Sequence, residues 1–90
     1  MIEWDALNTS HVGEHGLTRD DVEQALADPE REPADAYDTP TETRYAFFGR
    51  NASGRLLFVV LTPRGDGVRI VTARPADRRE RRDYARRHPK

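Results

Sequence analysis

The sequence predicts a small α+β fold with two N-terminal helices, a three- to four-stranded antiparallel sheet and a C-terminal helix. Three observations predict it. Apolar and β-branched runs crowd residues 44–74, separated by short turns that contain Gly, Pro or Asn. Helix-capping patterns stand on both sides of those runs, at Thr18 and at Asp77. The chain has 90 residues, enough for one core, so one domain is expected over 1–90.

Taken in order, Ile2-Glu3-Trp4 reads as a short edge strand or an ordered arm. A short helix follows, beginning at Asp5 or Asn8 and running to His15, with Gly16 as its C′ residue. Thr18 caps a second helix, with Asp21 in the capping-box position. Val22, Ala25 and Leu26 share its inner face, and Pro29 ends it. Residues 28–43 are acidic and proline-rich, with at most a short strand around Ala34–Asp38. Three strands come next, Arg44–Arg50, Arg55–Thr62 and Val68–Arg74. The second is apolar on both faces and should lie centrally, with helices covering one side. Asp77 and Glu80 form the capping box of the last helix.

Composition narrows the function classes. Without cysteine there is no disulfide framework and no cysteine-based zinc site. No apolar stretch nears the ~20 residues of a membrane span and no leader opens the chain, so a soluble, cytoplasmic protein is expected. The net charge of −1 conceals an asymmetry. Residues 1–43 hold twelve acidic side chains and two basic ones, whereas residues 44–90 hold thirteen basic and four acidic. That split points to a polyanion partner, RNA above all.

Two constellations could carry chemistry. His11-Val12-Gly13-Glu14-His15 matches the His-x-x-Glu-His pattern of a zinc peptidase family. Gly13 weakens the helix that would present the ligands, and no third ligand follows. The favoured alternative is a solvent-facing His11 with His15 packed at a helix end, so no metal or other cofactor is expected. The second constellation is arginine. Strand alternation puts Arg44, Ala46, Phe48 and Arg50 on one face. The same rule sends Arg69 and Arg74 to opposite faces, unless a bulge or twist brings them together. Arginine within an apolar strand signals a partner or ligand. The C-terminal helix adds Arg78, Arg79, Arg81, Arg82, Arg86 and Arg87, and its Glu80 and Tyr84 share a face.

At these residues a family resemblance enters. Trp4-Asp5, Asn8 and His15-Gly16 before a Thr-capped acidic helix resemble the opening of BrnT-type toxins. The likeness continues through Arg44, Phe48-Gly49-Arg50, Gly54-Arg55 and the run LLFVVLT. It closes with Arg64-Gly65, VRIVTAR at 68–74 and Ala76 to Tyr84. The lysine usual near the family's His-Gly step is absent, Glu14 standing before His15. The resemblance implies a RelE-like fold and an endoribonuclease toxin of a type II toxin–antitoxin pair. It also implies a BrnA-like DNA-binding antitoxin that masks the toxin in a hetero-oligomeric complex.

RNA cleavage without metal uses the ribose 2′-OH as nucleophile. It needs a proton acceptor, a proton donor for the leaving oxygen, and cations around the phosphorane. His15, Glu80 and Tyr84 are the candidates for proton transfer. Arg44, Arg69 and Arg74 are those for gripping the scissile phosphate, since arginine holds phosphate well but is too basic to exchange protons. Arg50, Arg55, Arg64, Arg78, Arg79 and Arg82 extend the RNA-binding track. A non-catalytic RNA-binding or regulatory module on the same scaffold is the alternative from another class.

Overall fold

A computed structural model describes residues 1–36 and 38–89. The element order is β1 (Ile2–Glu3), α1 (Ala6–Glu14), α2 (Arg19–Leu26), β2 (Glu32–Ala34), β3 (Tyr45–Arg50), β4 (Leu56–Arg64), β5 (Gly67–Pro75) and α3 (Arg78–Arg87). The α+β class holds, and each helix begins where its cap requires. Asp5/Asn8, Thr18/Asp21 and Asp77/Glu80 all form reciprocal capping boxes. The chain leaves α1 through Gly16, whose φ of +75° suits a residue without a Cβ.

The sheet differs from expectation in number and sense. It has five strands in the order β1-β5-β4-β3-β2, and β1 runs parallel to β5. The added edge strands are two and three residues long, too short for alternation to be read in sequence. The strand expected at Ala34–Asp38 begins two residues earlier, as β2, and Tyr37 lies outside the described residues. Pro33 is tolerated there because β2 is an edge, paired only with β3 among the described strands. β4 is central, as its two apolar faces require.

Helices cover both faces of the sheet, not one. Val12 of α1 and Val22 and Ala25 of α2 join Leu17, Phe47, Leu57, Val59, Leu61, Ile70 and Ala73 in the main core. α3 packs on the opposite face, where Tyr84 meets Leu56 and Ala76 beside Phe48. Gly49 lets α2 approach β3, since a Cβ there would lie 2.3 Å from the carbonyl oxygen of Ala25. Among the described residues no helix is long and apolar enough to cross a membrane.

One irregularity decides the placement of the arginines. Val60 of β4 faces Thr72 of β5, but Leu61 faces Ile70, so Val71 is the extra residue of a bulge. Arg74 therefore lies opposite Phe58 and Arg69 opposite Thr62. Phe58, Val60 and Thr62 share a face of β4 by alternation, so Arg69 and Arg74 share it too. Strict alternation had separated them, and the bulge resets the parity between them.

Candidate nucleic-acid interface

The face opposite α1 and α2 is laid out in rows by strand register. Glu3, Arg69 and Thr62 form the first row, and Arg44 extends it, because Tyr45 is the partner of Leu61. Thr72, Val60, Ala46 and Ala34 form the second. Arg74, Phe58, Phe48 and Glu32 form the third. With strands ~4.8 Å apart, Arg44 and Arg69 are separated by roughly 10 Å, and Arg74 stands ~13 Å along the strand direction. Between them lies a cavity of about 230 Å³ lined by Arg44, Phe58, Val60, Val71 and Thr72, with Asp35 and Ala36 as a further wall.

Each of these three arginines already has an anionic partner. Arg44 Nε donates to Glu42 Oε1 at 2.9 Å. Arg69, with 16% of its side chain exposed, donates through Nη2 to Asp5 Oδ2 at 2.9 Å and lies 3.5 Å from Glu3. Asp5 is held below the usual carboxylate range by the backbone N–H of Asn8 and then by Arg69. Arg74 makes a bidentate pair with Glu80 at 2.7 and 3.0 Å, and its guanidinium sits 4.6 Å from the Phe58 ring centroid. The three arginines thus ring one floor without converging on a single point.

Of the proton-transfer candidates, only Glu80 stands beside one of these arginines. His15 is the exposed C-cap of α1, on the other side of the sheet, and has no hydrogen bond from its side chain among the described residues. His11 is instead the partly buried one, with Nδ1 3.4 Å from the carbonyl oxygen of Val71. The expected roles of the two histidines are reversed. No group of three His, Cys, Asp or Glu side chains suited to a metal occurs among the described residues. Glu80 is lowered in pKa chiefly by Arg74, and it also accepts from the Asp77 N–H at 2.8 Å. Tyr84 is 1% exposed, and its hydroxyl donates to the Glu30 carbonyl at 3.0 Å. Burial, then the nearby Asp28 carboxylate, raises its pKa.

The wider basic track is more open. Arg55, Arg78 and Arg82 are exposed and form no ion pair within 4.0 Å among the described residues. Arg79 lies 4.0 Å from Asp83, and Arg64 lies 3.4 Å from Glu3. Arg50 donates to the Gly54 carbonyl at 3.1 Å and stands 5.0 Å from the Tyr84 ring centroid.

Sequence reasoning missed His88 and Glu32. His88 Nε2 is 2.6 Å from Glu32 Oε2, and its ring stacks on Tyr84 at 4.0 Å and 12°. The one sequence signal was a histidine four residues beyond Tyr84 on the same helix face. Nothing pointed to Glu32, 56 residues away, because β2 is too short to be read.

No curated protein matches the chain. A family model described as "Ribonuclease toxin, BrnT, of type II toxin-antitoxin system" matches residues 4–80. That span takes in α1, α2, the four strands that follow and the start of α3, and with them Arg44, Arg69 and Arg74. The chain belongs to the BrnT family of ribonuclease toxins.

Proposed function

We propose that this protein is a metal-independent endoribonuclease that acts in the cytoplasm, cuts mRNA, and so inhibits translation and growth until a BrnA-like DNA-binding antitoxin masks it. The observation that carries this reading is the bulge at Val71, which gathers Arg69 and Arg74 on the face that also holds Arg44. Three guanidinium groups around an apolar floor suit a strand whose phosphates need cations and whose bases need a surface to lie on. Arg55, Arg78 and Arg82, all exposed, add to that attraction. RNA must displace Glu42, Asp5 and Glu80 from the arginines or share them. Arginine suits sharing, since each guanidinium offers five N–H donors.

The engagement of Arg74 by Glu80 favours a second reading, an RNA-binding module without catalysis. Arg44 separates the two, because among the described residues its side chain is tied only to Glu42, two residues away. Purified parent protein should cut a single-stranded RNA in the presence of a chelator. Arg44→Ala should lose most of that cleavage while still binding the RNA. Intact RNA with the parent protein would overturn the enzymatic reading. Equal cleavage by the variant would remove Arg44 from the site.

A further inference from the structure

A second cavity, of about 350 Å³, lies where the end of α3 meets the segment before β2 and the end of β3. Glu30, Arg50, Tyr84, His88 and Pro89 line it. Its volume falls within the ~300–1,000 Å³ of small-ligand pockets, near the lower end, which suits a single nucleotide unit. Within it the chemistry absent from the open face is assembled from side chains remote in sequence.

Glu32 accepts from two neighbours at the end of α3, from Arg87 through Oε1 and from the C-cap His88 through Oε2 at 2.6 Å. A carboxylate only accepts, so in the neutral imidazole the proton sits on Nε2 and the lone pair on Nδ1. Nδ1 has no hydrogen-bond partner among the described residues, and none of their buried side-chain nitrogens is left unpaired, so Nδ1 is reached by solvent. The ring cannot swing freely, because it is stacked on Tyr84. Tyr84 is itself fixed by its hydrogen bond to Glu30. Arg50 approaches the same tyrosine ring. An oriented base and a cation therefore border one nucleotide-sized space.

We infer that His88 is the general base of RNA cleavage, with Glu32 as its positioning residue and Arg50 as the cation on the scissile phosphate. This rests on the ribonuclease reading above. The 2′-hydroxyl proton passes to Nδ1, the 2′-oxygen bonds to phosphorus, and the bond from phosphorus to the 5′-oxygen breaks. The leaving oxygen takes a proton from water, and the imidazolium returns its own to solvent. The products are a 2′,3′-cyclic phosphate and a 5′-hydroxyl, with no change of oxidation state. The arginines of the open face then align the strand along α3, about 15 Å long at 1.5 Å per residue, so that the scissile phosphate reaches this cavity, and Arg44 governs cleavage through that alignment. The family match ends at residue 80, ahead of both Tyr84 and His88.

The test uses the full chain and a mixed-sequence RNA oligonucleotide. His88→Ala should lower kcat by ~10²–10⁴-fold with RNA affinity unchanged, and free imidazole should restore part of the rate. The acidic limb of the parent's pH profile should disappear in that variant. Among the described residues, the charged or titratable groups around His88 are Glu30 and Glu32 on the β2 side, Arg50 on β3, and Tyr84 and Arg87 on α3. His88→Phe keeps the stack but has no ring nitrogen, and reads the same loss if the alanine variant does not fold. Parent-like cleavage by either variant would overturn the inference and leave the ribonuclease reading standing. A loss that imidazole does not relieve would make His88 a strut for α3 and also overturn it. Absence of cleavage by the parent would remove both readings together.

Discussion

Arg74 and Glu80 illustrate how one pair serves several purposes. Glu80 closes the capping box of α3 through the Asp77 N–H while it holds Arg74 at the end of β5. Arg74 in turn covers the Phe58 ring. Because Arg74 keeps the Glu80 pKa below its ordinary 4.5, the folded state binds that proton more weakly than the unfolded state does. The resulting stability is complete above pH ~4.5 and is lost as pH falls through the lower folded value. Asp5 and Asp21, both lowered first by a backbone N–H, act in the same direction. Glu80→Gln should therefore cost about 1–2 kcal/mol at pH 7, an amount tempered by the partial exposure of the pair. Urea unfolding at pH 7 and pH 3 checks this, and the gap between parent and variant should narrow at pH 3. A gap of equal size at both values would mean that the ion pair contributes nothing. Tyr84 and Glu80 were visible in sequence as neighbours on one helix face. Their engagement was not, because the partners come from β5 and from the segment before β2.

Elements dock through a few polar contacts as well as through the core. Asn8 of α1 is fully buried, and its Nδ2 donates to the carbonyls of Glu3 at 2.9 Å and Ile70 at 3.1 Å. Its Oδ1 accepts from the Asp5 N–H at 2.8 Å. One side chain thus ties α1 to β1 and β5 and closes its own cap. Asn8→Ala should cost about 2–4 kcal/mol, seen as a fall in Tm of roughly 10–20 °C for a domain of this size. A shift of a degree or two would show that water replaces the amide. The capped helices and the three long strands were legible because capping boxes and apolar runs are local signals. Helix starts at Thr18 and Asp77 fell where expected, and strand ends moved by one or two residues. The bulge at Val71 was not legible, since VRIVTAR carries no glycine or break to mark it. Nor was the parallel pairing of β1, which has only two residues to announce it. The placement of the arginines depended on these two features.

Across the whole molecule the charge asymmetry becomes an arrangement of counter-ions. Glu3, Asp5 and Glu32 from the acidic half neutralise Arg64, Arg69 and Arg87 from the basic half. Without RNA the open face carries its own competitor, which weakens indiscriminate attraction to other polyanions. The exposed Arg55, Arg78 and Arg82 form no ion pair within 4.0 Å among the described residues. Replacing all three by alanine should reduce the slope of log K against log salt for single-stranded RNA by about 2. Binding titrations at several salt concentrations measure it, and an unchanged slope would place the phosphate contacts elsewhere. The pairing of β1 with β5 carries a consequence for how the protein comes into being. Ile2 finds its register against Val68, and Glu3 against Arg69. During synthesis the first strand emerges early and waits for a partner more than sixty residues behind it. Arg69 itself is made only then, with Arg74 and α3 following. A growing chain is thus unarmed until β5 and α3 have been made, and only then is its grip on RNA assembled.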